Sequence, residues 1–514
     1  MITQENIALN FDQDIEEYIH QNYSDVREFR ILKKGLDARG IKRGRKPIYN
    51  YLVELAFGDD NFEPLLAGLT AAKNKVEGPI IVGMGPAGLF CALRLLERGV
   101  PSISLERGDP VNERMRKIAR FWRHGVIDPE SNISFGEGGA GLFSDGKLIT
   151  RIKSGHLPYV MDRLVKFGAP ESTAYLAAPH LGSNRIRAIL QQIVAYLKAH
   201  GCQLHYQTKV EQLLFDTTGQ VRGVKTAAGR EFHSAHLVMA TGHSARDIYQ
   251  TLDREGVALR AKDFAIGVRV EHPRALIDRI QYHKFANHPA LDAANYRLSY
   301  HHKPTDRGTY SFCMCPGGHI LAAATDKGEA VVNGMSNHRR HAPWSNSALV
   351  VSVKSGVDFN LQGSNPLAGV EFQRKLEQRA FVAAQGVNHA MLPAQNLANF
   401  MRQGSGGDLP SSSTVTSLGA VAMEEVLPPF VLEHLRRGIE RFEQQLPGFI
   451  SDRALVVAPE SRTSAPVTIL RDSGLYASVS HSGLYPCGEG AGYAGGITSA
   501  AVDGVSVAEA ILAR

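Results

Sequence analysis

The chain has 514 residues, of which 43% are hydrophobic and 21% charged, and this composition excludes a disordered, fibrous or membrane-spanning protein. At about 150 residues per domain, the length predicts two to four domains. Lysine and arginine number 57 against 51 acidic residues, and the formal net charge of +6 does not by itself indicate nucleic-acid binding.

Residues 1–72 are predicted to form a small N-terminal α/β domain. The expected elements are a strand at Ile7–Phe11, a helix at Asp12–Tyr23 with Asp12 as its N-cap, and strands at Phe29–Leu36 and Ile48–Phe57. The loop between the last two strands is rich in basic residues, namely Arg39, Lys42, Arg43, Arg45 and Lys46. A solvated turn is the simpler interpretation of this loop, and a surface that binds an anion or a macromolecular partner is the alternative.

Residues 76–260 change in pattern after a predicted linker at Ala71–Gly78. Short apolar strands are followed by glycines and by helices with apolar residues at helical spacing, which is typical of βαβ units. The predicted strands are Ile80–Val82, Ser102–Glu106, Gln203–Tyr206, Val210–Phe215, Val221–Lys225 and Leu237–Ala240. The predicted helices are Leu89–Arg98 and Ser183–His200.

Residues 261–455 are predicted to form an antiparallel-sheet α+β domain. The alternating runs that predict strands are Phe264–Val270, Thr309–Met314, Ile320–Ala324 and Ala348–Val353. The predicted amphipathic helices are Leu367–Gln385 and Pro429–Leu446. Residues 456–514 return to the strand, glycine and helix pattern and end in a predicted helix at Ile497–Leu512. The α+β domain is therefore expected to interrupt a parallel-sheet α/β domain formed by residues 76–260 and 456–514.

A glycine turn between the first strand of this α/β domain and its helix has the form of a dinucleotide-binding turn. The run Gly83-Met84-Gly85-Pro86-Ala87-Gly88 satisfies the GxGxxG pattern. Gly83 permits a tight turn, Gly85 leaves room for a pyrophosphate against backbone amides, and Gly88 allows close packing of helix and strand. The helix N-terminus supplies free N–H groups and a positive dipole to the phosphates.

The acid that follows narrows the choice of nucleotide. Glu106 ends the next strand, where a carboxylate receives the hydroxyls of the adenosine ribose, and Arg107 lies beside it. An acid at this position disfavours a 2′-phosphate, so we expect FAD or NAD rather than NADP. Two other runs, Gly136–Gly141 and Gly490–Gly495, match the glycine pattern but lack the elements of a second complete dinucleotide domain.

Two later segments favour FAD over NAD. The strand that ends in Ala240-Thr241-Gly242 resembles the second dinucleotide-domain signature of the glutathione-reductase-like flavoproteins. Near the C-terminus, Gly483–Gly496 followed by the last helix has the form expected where a helix N-terminus meets the flavin. The flavin contacts expected in this segment are Gly488, Glu489, Gly496 and Ile497. The acid of this segment is usually aspartate in that superfamily, so Glu489 is a departure.

The chain as a whole resembles the bacterial FAD-dependent dehydrogenases, also called NAD(FAD)-utilising dehydrogenases. The motifs that carry the resemblance are Phe135–Lys147 (FGEGGAGLFSDGK), Tyr310–Gly318 (YSFCMCPGG), Asn333–Ser336 (NGMS), Glu460–Pro466 (ESRTSAP) and Tyr485–Ser499 (YPCGEGAGYAGGITS). The resemblance implies a Rossmann-like FAD-binding domain interrupted by a substrate domain, together with a small N-terminal α/β domain. It does not identify a substrate.

Two of these motifs supply further candidate residues. The first motif is suited to wrap the flavin pyrophosphate or the ring edge, and its expected FAD contacts are Gly138, Gly139, Gly141, Ser144, Asp145 and Lys147. A glycine-rich surface loop is the alternative. Arg462 lies just before the closing flavin segment, where an arginine could hold an anionic substrate or stabilise reduced flavin, and a structural ion pair is the alternative. The catalytic candidates are Glu137, Lys147 and Arg462.

The cysteines and histidines give weaker indications. The five cysteines are Cys91, Cys202, Cys313, Cys315 and Cys487, without disulfide or zinc spacing, which favours a reducing compartment. Cys313 and Cys315 are expected on one strand face as core or cleft-lining thiols, and Cys487 as a buried small hydrophobe. The histidine-rich stretches His301-His302 and His338–His341 are interpreted as basic surface or anion contacts, so no metal site is predicted. The N-terminus has no signal-peptide pattern, and a cytoplasmic location is expected.

Together these features predict a FAD-dependent oxidoreductase that exchanges a hydride with an organic substrate bound between the two larger domains. NADH or NADPH is a possible electron donor. A flavin monooxygenase is one alternative function. A non-catalytic or RNA-directed flavoprotein that uses the N-terminal basic loop is the other.

Overall fold

The computed structural model describes residues 1–514 except 42–43, 63–69, 72–75, 385–389 and 406. The fold is mixed α/β, with parallel and antiparallel sheets. The strands are β1 (Ile2–Asn10), β2 (Val26–Asp37), β3 (Ile48–Phe57), β4 (Ile80–Val82), β5 (Ile103–Leu105), β6 (Gln203–His205), β7 (Val210–Phe215), β8 (Val221–Thr226), β9 (Glu231–His233), β10 (Leu237–Met239), β11 (Leu259–Ala261), β12 (Phe264–Pro273), β13 (Ser299–His302), β14 (Arg307–Cys315), β15 (His319–Ala322), β16 (Val332–Met335), β17 (Trp344–Val353), β18 (Leu392–Asn396), β19 (Leu418–Ala420), β20 (Leu455–Glu460), β21 (Val467–Ile469) and β22 (Leu484–Pro486). The helices are α1 (Ile15–Asn22), α2 (Pro86–Glu97), α3 (Val111–His124), α4 (Leu157–Lys166), α5 (Gly182–Ala199), α6 (Arg246–Arg254), α7 (Arg274–Tyr282), α8 (Ala368–Ala383), α9 (Leu397–Met401), α10 (Pro429–Gln445) and α11 (Ile497–Leu512).

A parallel sheet has the strand order β22, β10, β4, β5, β6. Every residue of β4, β10 and β22 is buried, as expected for a parallel sheet covered on both faces. Because parallel strands end at the same edge, the turns that follow Val82, Leu105, Met239 and Pro486 meet there. This edge positions the candidate site.

Helices α2 and α11 pack against each other beside this sheet and share a hydrophobic cluster with Ile81 and Val238. Their backbones come close together, because a Cβ on Gly504 of α11 would overlap with the carbonyl oxygen of Ala87 in α2. A Cβ on Gly88 would likewise overlap with the carbonyl oxygen of Gly83. The helix-packing role predicted for Gly88 is therefore supported by the geometry.

Two predicted strands form but do not join the parallel sheet. β7 and β8 pair with each other and with β9 in a separate antiparallel sheet. A tight turn reverses the chain between them, where Oδ1 of Asp216 accepts hydrogen bonds from the amides of Thr218 at 2.8 Å and Gln220 at 3.0 Å. This local turn favours a hairpin, so β7, β8 and β9 form an antiparallel connection between β6 and β10 of the parallel sheet.

A larger, mostly antiparallel sheet has the strand order β13, β14, β17, β12, β20, β18, β19. Its central strand β12 is buried along its whole length. Helix α10 packs its apolar side against this sheet, through residues that include Leu435, Ile439 and Phe442. All but one of its strand pairings are antiparallel, as the alternating pattern of this segment predicted.

Strand β14 contains a bulge at Cys313. Its register with β17 shifts between Phe312 and Cys315, with one extra residue on β14, and Cys313 has a φ of +43°. The bulge exposes Cys313, whereas Cys315 is buried. The expectation that both thiols share a strand face is therefore wrong, because the extra residue breaks the alternation of side chains.

The N-terminal segment forms a small antiparallel sheet in the order β1, β3, β2, and α1 packs against it. The helix cap is Asp14, whose Oδ1 accepts hydrogen bonds from the amides of Glu16 and Glu17. Asp12, the predicted cap, instead forms an ion pair with Lys46 at 2.8 Å. The predicted N-cap is therefore wrong by two positions.

The five basic residues of the N-terminal loop are only partly described. Lys42 and Arg43 lie outside the described residues, as does part of the predicted linker. Arg39 forms an ion pair with Asp37 at 2.5 Å, in addition to the pair between Lys46 and Asp12. The acidic partners of Arg39 and Lys46 support the solvated-turn interpretation.

No helix within the described ranges is both long enough and apolar enough to cross a bilayer.

A buried histidine is expected to make stability depend on pH. The Nε2–H group of His272 donates to the carbonyl oxygen of Phe449 at 2.8 Å, and burial lowers the pKa of His272 from 6.5 to about 4. Below pH 6.5 the unfolded chain binds a proton that the folded chain does not, so this contribution is complete above pH 6.5 and is lost towards pH 4. At about 1.4 kcal/mol per pH unit, we expect a loss of about 3 kcal/mol.

Urea unfolding of the protein and of the His272→Gln variant between pH 4 and pH 8 measures this contribution. Glutamine keeps a donor for the carbonyl of Phe449 but cannot titrate. We expect the two stability curves to converge as the pH falls, and parallel curves would contradict the assignment to His272.

Candidate functional site

An open cavity of about 1800 Å³, counting the part open to solvent, lies between the carboxyl edge of the parallel sheet and the antiparallel sheet. The predicted FAD contacts that line it are Gly83, Gly85, Pro86, Ala87, Glu106, Arg107, Gly139, Gly141, Ser144, Asp145, Lys147, Thr241, Gly242, Glu489, Gly496 and Ile497. The fold thus brings five separate segments of the chain to one cavity.

Three of the predicted FAD contacts do not line the cavity but pack tightly behind its wall, and all three are glycines. Gly88 packs against Gly83, and a Cβ on Gly138 would lie 2.7 Å from Leu142 Cγ. A Cβ on Gly488 would lie 2.7 Å from the Cβ of Ala87. These glycines allow close packing, which a single sequence cannot distinguish from ligand contact.

Two glycines of the turn after β4 have different roles: Gly83 is required by the backbone, and Gly85 faces open space. Gly83 has a φ of +101°, and a Cβ there would overlap with the carbonyl oxygen of Ala240. Gly85 has φ −77° and ψ −176°, which any residue can adopt, and a Cβ there would meet only Gly139 Cα at 3.8 Å. The space in front of Gly85 is therefore part of the cavity.

Two helix N-termini line the same cavity. Helix α2 starts after Gly85 and α11 after Gly496, and no side chain caps either N-terminus. A Cβ on Gly495 or Gly496 would meet no atom within 4 Å. Free amides and the positive ends of two helix dipoles favour an anion, and two such termini in one large cavity fit a dinucleotide pyrophosphate and a flavin.

Glu106 holds three backbone segments together at the cavity wall. Its Oε1 accepts hydrogen bonds from the amides of Gly108 at 3.0 Å and Gly136 at 2.9 Å, and its Oε2 accepts one from Met84 at 2.9 Å. Each carboxylate oxygen has two lone pairs, so Oε2 retains one for a ligand hydroxyl. Glu106 can therefore hold a ribose and the glycine turns together.

Replacement of Glu106 by glutamine is expected to destabilise the protein by about 1–3 kcal/mol, because an amide NH₂ cannot accept the hydrogen bonds that one carboxylate oxygen accepts. FAD affinity should fall in parallel, as measured by fluorescence titration. The exposed Glu113→Gln variant is the control and should change stability by less than about 0.5 kcal/mol. Unchanged stability of Glu106→Gln would contradict the role of this carboxylate.

Arg114 fixes the glycine-rich loop at the cavity, and the sequence did not indicate this role. Its buried guanidinium donates to the carbonyl oxygens of Asn132 at 2.7 Å, Ile133 at 2.6 Å and Glu137 at 2.7 Å. It also donates to the carbonyl oxygen of Gly139 at 3.0 Å. The loop that carries many of the predicted contacts is therefore held from its interior side.

The catalytic candidate Glu137 does not line the cavity. Its carboxylate accepts a hydrogen bond from the hydroxyl of Tyr206 at 2.7 Å, and burial raises its pKa. This geometry places the side chain within the protein and supports no contact with a reacting ligand.

Lys147 and Asp145 form a charged group on the cavity wall. The Lys147 ammonium donates to the carbonyl oxygen of Met314 and lies 3.8 Å from Asp145 Oδ2. Asp145 also accepts a hydrogen bond from Ser336 and pairs with Arg340 at 2.7 Å and with His180 at 3.3 Å. Burial favours the neutral acid, but His180, Lys147 and Arg340 outweigh it and hold the pKa of Asp145 well below its usual range.

Arg462 both lines the cavity and forms the structural ion pairs given as the alternative. Its guanidinium lies 2.7 Å from Glu377 Oε2 and 3.1 Å from Glu329 Oε2, and it donates to Thr325 Oγ1 at 2.7 Å. Burial and the negative charge of Glu377 raise the pKa of Glu329. The contacts with Glu377 and Glu329 therefore hold the Arg462 side chain in one position at the cavity wall.

His243 and Phe312 were not predicted as wall residues, whereas Cys313 and Cys315 were expected as core or cleft-lining thiols and both line the cavity. His243 follows the Ala-Thr-Gly segment, and its Nδ1 lies 3.4 Å from Glu489 Oε1. Phe312 and the bulged Cys313 face the cavity from β14. His243 could have been found from its position after the segment, whereas the cavity-facing position of Cys313 depends on the bulge.

Arg107 lines the cavity next to Glu106. It pairs with Glu130 at 2.7 Å and Asp247 at 2.9 Å, and its guanidinium lies 4.3 Å from the ring centroid of Phe135. Arg107 and Phe135 both line the cavity. The described residues contain no cluster of three His, Cys, Asp or Glu side chains that could hold a metal ion.

Comparisons with known proteins give the following similarities. Residues 263–463 match the family described as FAD-dependent protein, C-terminal domain-like. An uncharacterized protein of Clostridium beijerinckii is 40% identical over 539 residues, covering 99% of this chain and 98% of that protein. The probable indole-3-pyruvate monooxygenase YUCCA1 of Arabidopsis thaliana is 26% identical over 207 residues, covering 39% of this chain and 41% of that protein. The structure of flavin-dependent brominase Bmp2 covers 85% of this chain and 79% of its own at 13% identity, but the TM-score of 0.35 carries no argument.

Proposed function

The chain belongs to the family of FAD-dependent proteins that includes the Clostridium beijerinckii protein, and we propose that it exchanges a hydride between bound FAD and an organic substrate. FAD is its cofactor, and the chain is a flavin-dependent oxidoreductase. The observation that carries the proposal is the single cavity that joins two uncapped helix N-termini to a charged wall from the antiparallel sheet.

The cofactor would lie along the carboxyl edge of the parallel sheet. The turn at Gly85 and the amides of α2 would hold the pyrophosphate, and Glu106 would hold the adenosine ribose. The Gly496 end of α11 and Glu489 would face the flavin. When bound, FAD supplies the two-electron chemistry.

The side chains proposed to act on the substrate lie on the cavity wall that faces the FAD site. Lys147 places a positive charge beside Cys313 and the Asp145 group, where it can orient an anionic or carbonyl oxygen of a substrate. Arg462 is held by its two carboxylates, so it contributes a fixed positive charge.

The proposed domain arrangement assigns the FAD site and the substrate wall to two separate domains. Residues 76–260 and 456–514 would form the FAD domain, and 261–455 the substrate domain. Support comes from the parallel sheet, in which the late strand β22 pairs with β10. This arrangement is also the one expected of the glutathione-reductase-like superfamily.

A flavin monooxygenase is the second candidate function. The similarity to the Arabidopsis indole-3-pyruvate monooxygenases favours it, although it covers 39% of this chain. Reduction of the flavin by NADPH or NADH is common to both proposals. No observation on the described residues favours an RNA-directed role.

Anaerobic titration of the FAD-loaded protein with NADH and with NADPH tests the shared step. We expect the flavin absorption bands to bleach with at least one nucleotide. Oxygen is then admitted in the presence of candidate substrates. Hydroxylated product formed in proportion to nucleotide oxidation would favour the monooxygenase, and reduced substrate formed without oxygen would favour the dehydrogenase. Bands that never bleach would contradict a nucleotide-linked reaction.

A further inference from the structure

A second cavity, here called the basic pocket, opens at the N-terminus of α5. Its lining residues are Asn184, Arg185, Gly317, His319, Asn337, His338, Arg339, His341 and Ala342. Two arginines and three histidines line it, and none of these nine residues is acidic. It shares no lining residue with the proposed FAD cavity. The basic pocket is therefore a separate concentration of positive charge.

Among the described residues, the two arginines of the basic pocket have no acidic partner. Arg340, on the same loop, pairs with Asp145 at 2.7 Å and lies outside the lining. In the described part of the chain, by contrast, no carboxylate oxygen lies within 4.0 Å of the guanidinium of Arg185 or Arg339. Two unpaired guanidinium groups at one cavity favour a ligand with more than one negative charge.

The loop that carries these cations is fixed against α5. The amide of Ser183 donates to the carbonyl oxygen of Ser336 at 2.9 Å, and the amide of His338 donates to Asn184 Oδ1 at 2.9 Å. A Cβ on Gly182 would overlap with the amide nitrogen of His338. No side chain caps this 18-residue helix, so its positive end adds to the charge of the pocket.

His338 reports on the electrostatic environment of the pocket. Burial, the positive charge of Arg185 and the neighbouring His180 lower its pKa, and carbonyl oxygens of Leu181 and His180 oppose this effect. Nδ1 of His338 is buried without a hydrogen-bond partner in the described structure. A bound anion would raise this pKa, because it would stabilise the protonated ring.

We propose that the basic pocket binds a phosphate group. Fork-shaped guanidinium groups, imidazoles and a helix N-terminus together suit the several oxygens of a phosphate. The phosphate could be free inorganic phosphate or the phosphate of a pyridine nucleotide, and only the second source rests on the proposed function. The same loop contacts the FAD cavity through Arg340 and Asp145, so a ligand here could influence that cavity.

Calorimetric titration of the FAD-loaded protein with inorganic phosphate, in a buffer free of other multivalent anions, tests this proposal. We expect saturable binding that weakens at least about tenfold in the Arg185→Gln/Arg339→Gln variant. The control is Arg116→Gln/Arg120→Gln, which removes the same charge from exposed positions of α3 and should bind phosphate normally. Absent binding, or equal weakening in both double variants, would overturn the proposal.

Titration with NADPH and NADH distinguishes the two sources of phosphate. Displacement of phosphate by NADPH, with NADPH binding weakened in Arg185→Gln/Arg339→Gln, supports the nucleotide phosphate. If the Arg185→Gln/Arg339→Gln variant loses phosphate binding but binds NADPH and NADH as tightly as the wild type, the natural ligand is free inorganic phosphate. Phosphate should also raise the NMR-measured pKa of His338 in the wild-type protein. Phosphate binding is measured without turnover, so failure of the proposed redox function would leave this result intact.

Discussion

Replacement of Gly85 by valine is expected to abolish FAD retention while leaving the melting temperature within a few degrees of the wild type. The backbone at Gly85 accepts any residue, and a Cβ there meets only Gly139 Cα at 3.8 Å. The side chain would therefore occupy cavity space in front of α2, where the pyrophosphate is proposed to lie. We expect FAD affinity to fall at least about 100-fold, which corresponds to about 2.7 kcal/mol.

Flavin content by absorbance and melting by circular dichroism measure the two parts of this result. Gly155→Val is the control for the substitution itself, because Gly155 is exposed and a Cβ there meets nothing within 4 Å. Gly88→Val is the contrasting variant and should fail to fold, because its Cβ would overlap with backbone. A folded Gly85→Val protein with full flavin content would place the pyrophosphate elsewhere.

Replacement of Arg114 by methionine is expected to destabilise the protein by about 3–5 kcal/mol and to lower FAD retention. Methionine fills much of the volume but leaves the carbonyl oxygens of Asn132, Ile133 and Glu137 without their donor. A buried polar group without a partner costs about 1–3 kcal/mol, and relaxation of the loop recovers part of the total. The loop of FAD contacts should therefore lose its fixed shape.

Chemical unfolding and flavin content measure the effect of Arg114→Met. Arg116→Met, two positions along α3 and exposed, is the matched control and should change stability by less than about 0.5 kcal/mol. If Arg114→Met were as stable as this control, the carbonyl contacts would not hold the loop.

Features set by short stretches of sequence were predicted well. β3 and β4 have the predicted bounds, and so does α11. The helices near residues 86 and 429 were found because strand, glycine and apolar period lie within one local window. The same locality made the glycine turns of the candidate site recognisable.

Features that depend on distant residues were missed. In the sequence Arg114 is an ordinary arginine of a predicted helical region, whereas in the fold its guanidinium donates to five carbonyl groups. The bulge at Cys313 depends on pairing with β17, and Asp12 pairs with the distant Lys46 while Asp14 caps α1. The sequence indicated basic surface or anion contacts at His338–His341, but the pocket also includes Arg185 at the start of α5, about 150 residues earlier, which the local pattern could not indicate.

A crystal structure of the FAD-loaded protein tests the central claim most directly. We expect the pyrophosphate at the amides after Gly85, the ribose at Glu106, and the flavin ring between the start of α11 and the wall formed by Lys147 and Cys313. FAD bound outside this cavity, or a ring directed away from that wall, would contradict the account of where the chemistry takes place.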